Sequence, residues 1–240
     1  MNLQYSAPVG IILLGEAGIL YGKPALGSAL NAQVVGATSS QDQVLKGSCR
    51  FYDIAMESVL DSLKTPQPKG PKPKVSIELP RGIPEDFEGL EAAEIVVTSA
   101  ILYQWVTKKQ GPQEEINNIA FRAHKKVHPK ASGLYTSLSS LGGLIYYRKE
   151  FEFLKGIYKL PYKIPENIEK ELYISFSKVD DVYNIKPKKA DAILSEQEKH
   201  TKRAVVAIIK EDAKLFFDQL EAMNKKNYKF SQSFDGVIKL

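Results

Sequence analysis

The stretch from Ala7 to Leu26, APVGIILLGEAGILYGKPAL, decides how the rest of this chain is read. Val9–Leu14 is a six-residue apolar run closed by Gly15, the pattern of a buried strand. Beyond it, glycines alternate with apolar side chains, so strand, loop and further strand are expected. A run this short cannot span a bilayer, and the neutral N-terminus before it lacks the charge of a signal peptide. No membrane insertion is expected, and the default residence is cytoplasmic.

Around that stretch lies an ordinary globular composition. The chain has 240 residues, 43% hydrophobic and 25% charged, enough for one large core or two modest domains. Its one cysteine, Cys49, cannot close an internal disulfide, which points to a reducing compartment. His124, His128 and His200 form no HExxH spacing and a lone cysteine gives no CxxC, so a structural zinc site is not expected. The net charge of +5 gathers at Lys69–Lys74, Lys186–Lys189 and Lys225–Lys229, with no RNP, KH or helix-turn-helix signature between them. These clusters read first as solvated faces, with direct RNA contact as the minor alternative.

Element by element, the periodicity predicts an α+β protein. TPQPKGPKPK (65–74) holds four prolines in ten residues and reads as an exposed connector, followed by a strand at VSIELP (75–80). From Gly89 the period changes. Leu90, Ala93, Val97, Ala100, Ile101 and Trp105 recur at three- and four-residue steps and predict a helix of about five turns. Further helices are expected over 113–128, 191–210 and 212–228, and strands over 142–149 and 171–179. Strands and helices mix without a regular βαβα repeat, which argues for α+β rather than a doubly wound sheet. The polar, proline-punctuated passage 160–170 sets a domain boundary near 165, giving domains 1–165 and 166–240.

Several segments resemble one family in the same order. Ala7–Leu26 resembles the opening motif of the GHMP kinases, mevalonate kinase especially, where a Gly-Lys pair leads into Gly-Glu-His and Tyr-Gly-x-Pro-Ala. VSIELPRGIPEDFEGLEAAE (75–94) is similar to their phosphate-loop region, Gly-Leu-Gly-Ser-Ser-Ala-Ala. INNIAFRAHKKVHPKASGLYTSLSSLGGLIYYRK (116–149) resembles the helix, the Pro-Ser-Gly-Asp-like loop and the Gly-Gly strand that follow. LYISFSKVDD (172–181) and EAMNKKNYKF (221–230) resemble a strand and a helix end of the family's C-terminal domain. The resemblance implies a two-domain fold, a ribosomal S5 domain 2-like N-terminal domain with a reduced ferredoxin-like C-terminal one. It also implies phosphoryl transfer from ATP to a small alcohol, which needs donors around phosphate, a metal and a group that activates the hydroxyl.

The matching positions split into two classes. At the phosphate loop, Gly89, Leu90, Glu91, Ala92 and Ala93 stand where the family has a glycine-rich turn with two serines, so Glu91 adds negative charge where phosphate approaches and two hydroxyls are gone. Two like charges about 4 Å apart cost about 1 kcal/mol in water and several times more when partly desolvated. Asp86, Glu88 and Glu94 add to that charge. The metal positions fall on Ala92 and His124. An imidazole is a poor ligand for a hard cation, and His124 reads as a surface helix residue beside Lys125 and Lys126. The catalytic aspartate falls on Tyr135, a phenol too weakly acidic to serve as a base, whose ring is expected to fill the former pocket. The lysine that would pair with that aspartate falls on Gly10, and the histidine of Gly-Glu-His falls on Ala17. Glu16, Ser132 and Gly133 remain as candidate substrate-pocket residues.

Positions that shape backbone therefore match while those that carry charge to phosphate, metal or substrate do not. The expectation is a non-catalytic, pseudokinase-like protein acting as a structural or regulatory module in a protein or ribonucleoprotein assembly. No cofactor is expected, and residual small-molecule binding stays open. The alternative is an ATP-dependent, mevalonate kinase-like phosphotransferase with a rebuilt site, which would use ATP and magnesium. The family's third glycine-rich motif has no match before the final FDGVIKL, which implies either a shortened C-terminal domain or a remainder supplied by another chain.

Overall fold

A computed structural model describes residues 3–39, 49–149, 155–175, 187–226 and 237–239. Along the chain the elements are β1 (Gln4–Leu14), α1 (Glu16–Ile19), β2 (Pro24–Ser39), α2 (Tyr52–Leu63), β3 (Lys74–Glu78), α3 (Glu88–Thr107), α4 (Gln113–Val127) and α5 (Leu134–Leu141). After these come β4 (Leu144–Lys149), β5 (Lys155–Leu160), α6 (Glu166–Glu169), β6 (Tyr173–Ser175), α7 (Pro187–Ile209), α8 (Ala213–Lys226) and β7 (Val237–Lys239). The class is α+β with antiparallel pairing. By contact the chain groups into two units, Met1–Ile11 with Ala29–Gly142, and Ile12–Ser28 with Gly143–Leu240. Both β1 and β2 pass from one unit into the other.

In the first unit the far half of β2 pairs with β3, from Val35 opposite Glu78 to Ser39 opposite Lys74. Helix α3 is central. It buries Leu90, Ile95, Val96, Val97, Ile101 and Leu102 and is covered on nearly every side, which the single apolar stripe in its sequence understates. Gly36 of β2 lets it come close, because a Cβ there would meet Val97 Cγ1 and Ile101 Cδ1. Four helices went unread in the sequence, the short α1 and α6 and, in this unit, α2 and α5. LYTSLSSL has little intrinsic helicity, yet it is closed at its start by Gly133 in the left-handed region (φ 92°) and packed on α3 and α4.

In the second unit the near half of β2 pairs with β4, Pro24 opposite Arg148 through Ser28 opposite Leu144, and β4 pairs with β5. Leu14, Leu26 and Leu144 of these strands meet Ala204, Ala207 and Ile208 of α7 and Phe216 of α8 in one core. Strands β5 and β7 were also unread. Of the strand expected over 171–179, residues 173–175 are strand and 176–179 lie outside the described residues. Of the basic clusters, Lys188 and Lys189 fall in α7 and Lys225 and Lys226 in α8, while Lys186 and Lys229 lie outside the described residues. Among the described residues no helix is long and apolar enough to cross a membrane.

Candidate functional site

The first unit gathers most of the expected site residues at the N-terminal end of α3. Phe87 precedes the helix in extended conformation (φ −75°, ψ 120°) without a side-chain cap, and Glu88 and Glu91 occupy the first turn, where the helix dipole favours carboxylates. Gly89 is required by close approach. A Cβ there would meet the carbonyl oxygen of Gly10 on β1 and the Phe87 ring. Leu90, Ala92 and Ala93 have no exposed surface, so the two alanines expected to stand in place of serines face the interior of this unit.

The carboxylates of this turn do not stand uncompensated, as the sequence suggested. Glu91 Oε2 lies 2.6 Å from His128 Nε2, and its other oxygen is 4.0 Å from Arg50 Nη1. Glu94, 1% exposed, accepts from Arg50 three times: Nε at 3.0 Å and Nη2 at 2.7 Å to one oxygen, the backbone N–H at 3.2 Å to the other. Arg50 Nη1 also donates to the Glu85 carbonyl at 3.1 Å. Burial opposes the Arg50 charge, but hydrogen bonding and Coulomb attraction to Glu94 outweigh it, and its pKa is raised. The hydrogen bond to Glu91 holds the His128 pKa up against burial, with the charges of Glu88 and Glu91 adding to it.

His124 is not a surface residue. It is 1% exposed, turned inward on α4 although Lys125 and Lys126 beside it point out, because successive helical residues lie about 100° apart. Neither ring nitrogen has a hydrogen-bond partner. Glu88 Oε1 stands 3.7 Å from Nε2, close enough to favour the cation, yet burial and then the neighbouring His128 ring push the pKa down to about 3. The imidazole is neutral at physiological pH. With a buried methyl at Ala92 and a neutral imidazole at His124, the two positions offer magnesium no oxygen donor, so they do not fit that ion. Among the described residues no group of three or more His, Cys, Asp or Glu side chains is arranged to hold a metal ion.

Tyr135 lies in the first turn of α5, 7% exposed, its ring edge-on to Phe87 at 5.8 Å between centroids. One turn on, Leu138 covers Gly10, where a built Cβ would lie 2.7 Å from Leu138 Cβ and 3.0 Å from its Cδ1. No side chain fits at position 10 without moving α5. Gly10→Ala is expected to cost about 1–3 kcal/mol by overpacking, and Leu138→Ala in the same chain to relieve part of the strain. Urea midpoints of both variants and the double variant measure this.

Ser132 Oγ accepts from the Leu134 N–H at 3.2 Å and Gly133 caps α5, so both shape the turn. Glu16 and Ala17 belong to the second unit. Glu16 is exposed at the start of the four-residue helix α1, which follows Gly15 at φ 88°, and Ala17 is helical. Arg50, His128, Phe87 and Leu138 were missed as site residues. Their signal was indirect: Glu88, Glu91 and Glu94 at three-residue spacing share a helix face and demand cations, and His124 and His128 sit four apart on another.

No family model matches the chain. A mevalonate kinase of Thermococcus sibiricus is 26% identical over 262 residues, spanning 95% of this chain and 77% of that protein. The crystal structure of Methanococcus jannaschii mevalonate kinase superposes with a TM-score of 0.71 at 19% identity, over 95% of this chain and 80% of that one. For L. major mevalonate kinase in complex with R-mevalonate the values are 0.70, 18%, 93% and 74%. Streptococcus pneumoniae phosphomevalonate kinase follows at 0.62 and 13% identity, over 94% and 78%. The chain is thus similar in sequence to a mevalonate kinase and has the fold shared by mevalonate kinase and phosphomevalonate kinase, that of the GHMP kinases.

Proposed function

We propose that this protein is a non-catalytic member of the superfamily, a binding module that joins a protein or ribonucleoprotein assembly in the cytoplasm rather than transferring phosphate. One observation carries the reading. The α3 N-terminus, which would receive the phosphates of ATP, is filled by carboxylates of its own chain: Glu91 held by His128, Glu94 held by Arg50. An incoming triphosphate meets negative charge there, and Arg50 and His128 beside it are already engaged by those carboxylates. Leu138 over Gly10 and the Phe87–Tyr135 ring pair support the same reading, since Gly10 and Tyr135 are where the resemblance puts the lysine and the aspartate. We read residues 1–165 as the N-terminal domain of the family and 166–240 as its shortened C-terminal domain.

Calorimetric titration of the full chain with magnesium-ATP at millimolar concentration is expected to release no heat above dilution. Mevalonate-dependent release of ADP above background would sink the proposal.

A second reading draws on the identity to the Thermococcus sibiricus protein over 95% of the chain. It holds that ATP-dependent phosphorylation of a small alcohol persists on a rebuilt site, positioning supplying much of the rate. Glu91, His124 and Tyr135 would then serve in new roles. Heat on nucleotide titration, abolished by Glu91→Lys, would favour this reading over the first.

A further inference from the structure

In the second unit, the outer end of the β4–β5 ribbon carries aromatic and cationic side chains that the reading above does not use. The register sets Tyr146 opposite Tyr158 and Arg148 opposite Gly156. Side chains alternate along a strand, so Leu144, Tyr146 and Arg148 share one face with Leu160, Tyr158 and Gly156. The inner end of that face, Leu144 with Leu160, joins the core formed with Ala204 and Ile208 of α7. Further out the face emerges into solvent. Tyr146 is half-buried, Arg148 is exposed, and Tyr158 is 58% exposed. The two rings lie 6.2 Å apart at 51°, and Gly156 gives the Tyr158 ring room to lean along its own strand, since a Cβ there would stand 3.0 Å from Tyr158 Cε2.

Cations surround these rings. Arg148 Nε donates to the Gly22 carbonyl at 2.9 Å, which leaves its charge without a carboxylate among the described residues. Lys202 Nζ and Lys23 Nζ share one carboxylate, Glu198, at 2.7 and 3.2 Å. Lys202, Glu198, Arg148 and Tyr158 all act electrostatically on the Tyr146 hydroxyl. Counting the connection that holds Glu150 and Glu152, which lies outside the described residues, the sequence 144–163 still has five cations against two carboxylates.

Side-by-side rings in solvent, with positive charge around them, suit a partner that presents flat faces and regularly spaced negative charge. Single-stranded nucleic acid does both, its bases stacking on aromatic side chains and its phosphates meeting Arg and Lys. An acidic peptide would satisfy the cations and leave the rings idle. We propose that this face of β4 and β5 binds single-stranded nucleic acid, with bases stacked on Tyr158 and Tyr146 and phosphates held by Arg148 and Lys202. The surface is distinct from the lysine clusters of the sequence. It is also independent of catalysis, because an active kinase could carry it equally well.

The test is fluorescence anisotropy of labelled single-stranded RNA and DNA oligomers of about ten nucleotides, titrated with the full chain over a range of salt. Both are expected to bind, with affinity falling as salt rises. Tyr158→Ala is expected to weaken binding about five- to a hundredfold, the size of one lost base stack. Tyr158→Phe keeps the ring and is expected to bind as the native chain does. Because Tyr158 is exposed, an unchanged urea midpoint shows that the alanine variant remains folded. Arg148→Gln is expected to lower the salt slope by about one phosphate contact. The proposal is overturned if the native chain binds neither oligomer, if Tyr158→Ala binds as tightly as the native chain, or if polyglutamate of equal charge displaces the oligomer as well as unlabelled oligomer does. Magnesium-ATP calorimetry reads nucleotide binding and not oligomer binding to this face, so failure here leaves the non-catalytic reading standing.

Discussion

Arg50→Ala is expected to lower the unfolding free energy by about 3 kcal/mol, because it leaves the Glu94 carboxylate buried without its partner. Glu94 is 1% exposed and takes two hydrogen bonds from the guanidinium and one from the Arg50 backbone, which the substitution retains. The lower end of the usual 3–5 kcal/mol range applies because the Arg50 side chain is 35% exposed and water can partly replace it. Glu94→Gln should cost less, since an amide oxygen still accepts from the guanidinium. Urea unfolding with linear extrapolation separates the variants. A loss under about 1 kcal/mol for Arg50→Ala would mean that Glu94 is neutralised by something other than Arg50.

The second large effect is a pH dependence with two opposed limbs. His124 in the folded chain is depressed to about 3, whereas in the unfolded chain it titrates near 6.5. The unfolded state binds the proton more readily in that window, so stability is full above 6.5 and falls as the pH drops toward 3. At pH 5 the loss from this one group is about 2 kcal/mol. His128 has the opposite sign. Its folded pKa is raised, so its contribution is complete below 6.5 and is lost as the pH rises through the folded value. Stability should therefore peak near neutrality. His124→Leu is expected to flatten the acid limb, and because both ring nitrogens are unpartnered it removes no hydrogen bond. An unchanged acid limb in that variant would place the titrating group elsewhere.

The parts legible in the sequence were those written in local chemistry. The strand at Val9–Leu14, the helix from Gly89 and the proline-rich connector follow from period and backbone preference alone. Helix α5 did not, because Ser and Thr fill it and its helicity comes from packing on α3 and α4. His124 was misplaced because its charged neighbours set the expectation for a side chain that points the other way. The partnership of Arg50 with Glu94 spans 44 residues, and nothing local to either announces it. The sequence did single out Gly89, Gly10, Tyr135 and Glu91 as one group. What it could not supply was the pair of cations that makes the negative charge tolerable.

The two units are interleaved along the chain, and this carries a consequence for synthesis on the ribosome. The segment Ile12–Ser28 emerges early, yet the strand and helices it packs against, β4 and α7 among them, begin only after Gly143. At roughly 5–20 residues per second, the apolar Leu14 and Leu26 wait roughly 6–23 s for the first of their partners while the residues of the first unit are being made. During that interval the edge of β2 that will receive β4 is exposed on the nascent chain. A chaperone that binds extended apolar segments therefore has a defined target here, and a defined moment at which it must let go.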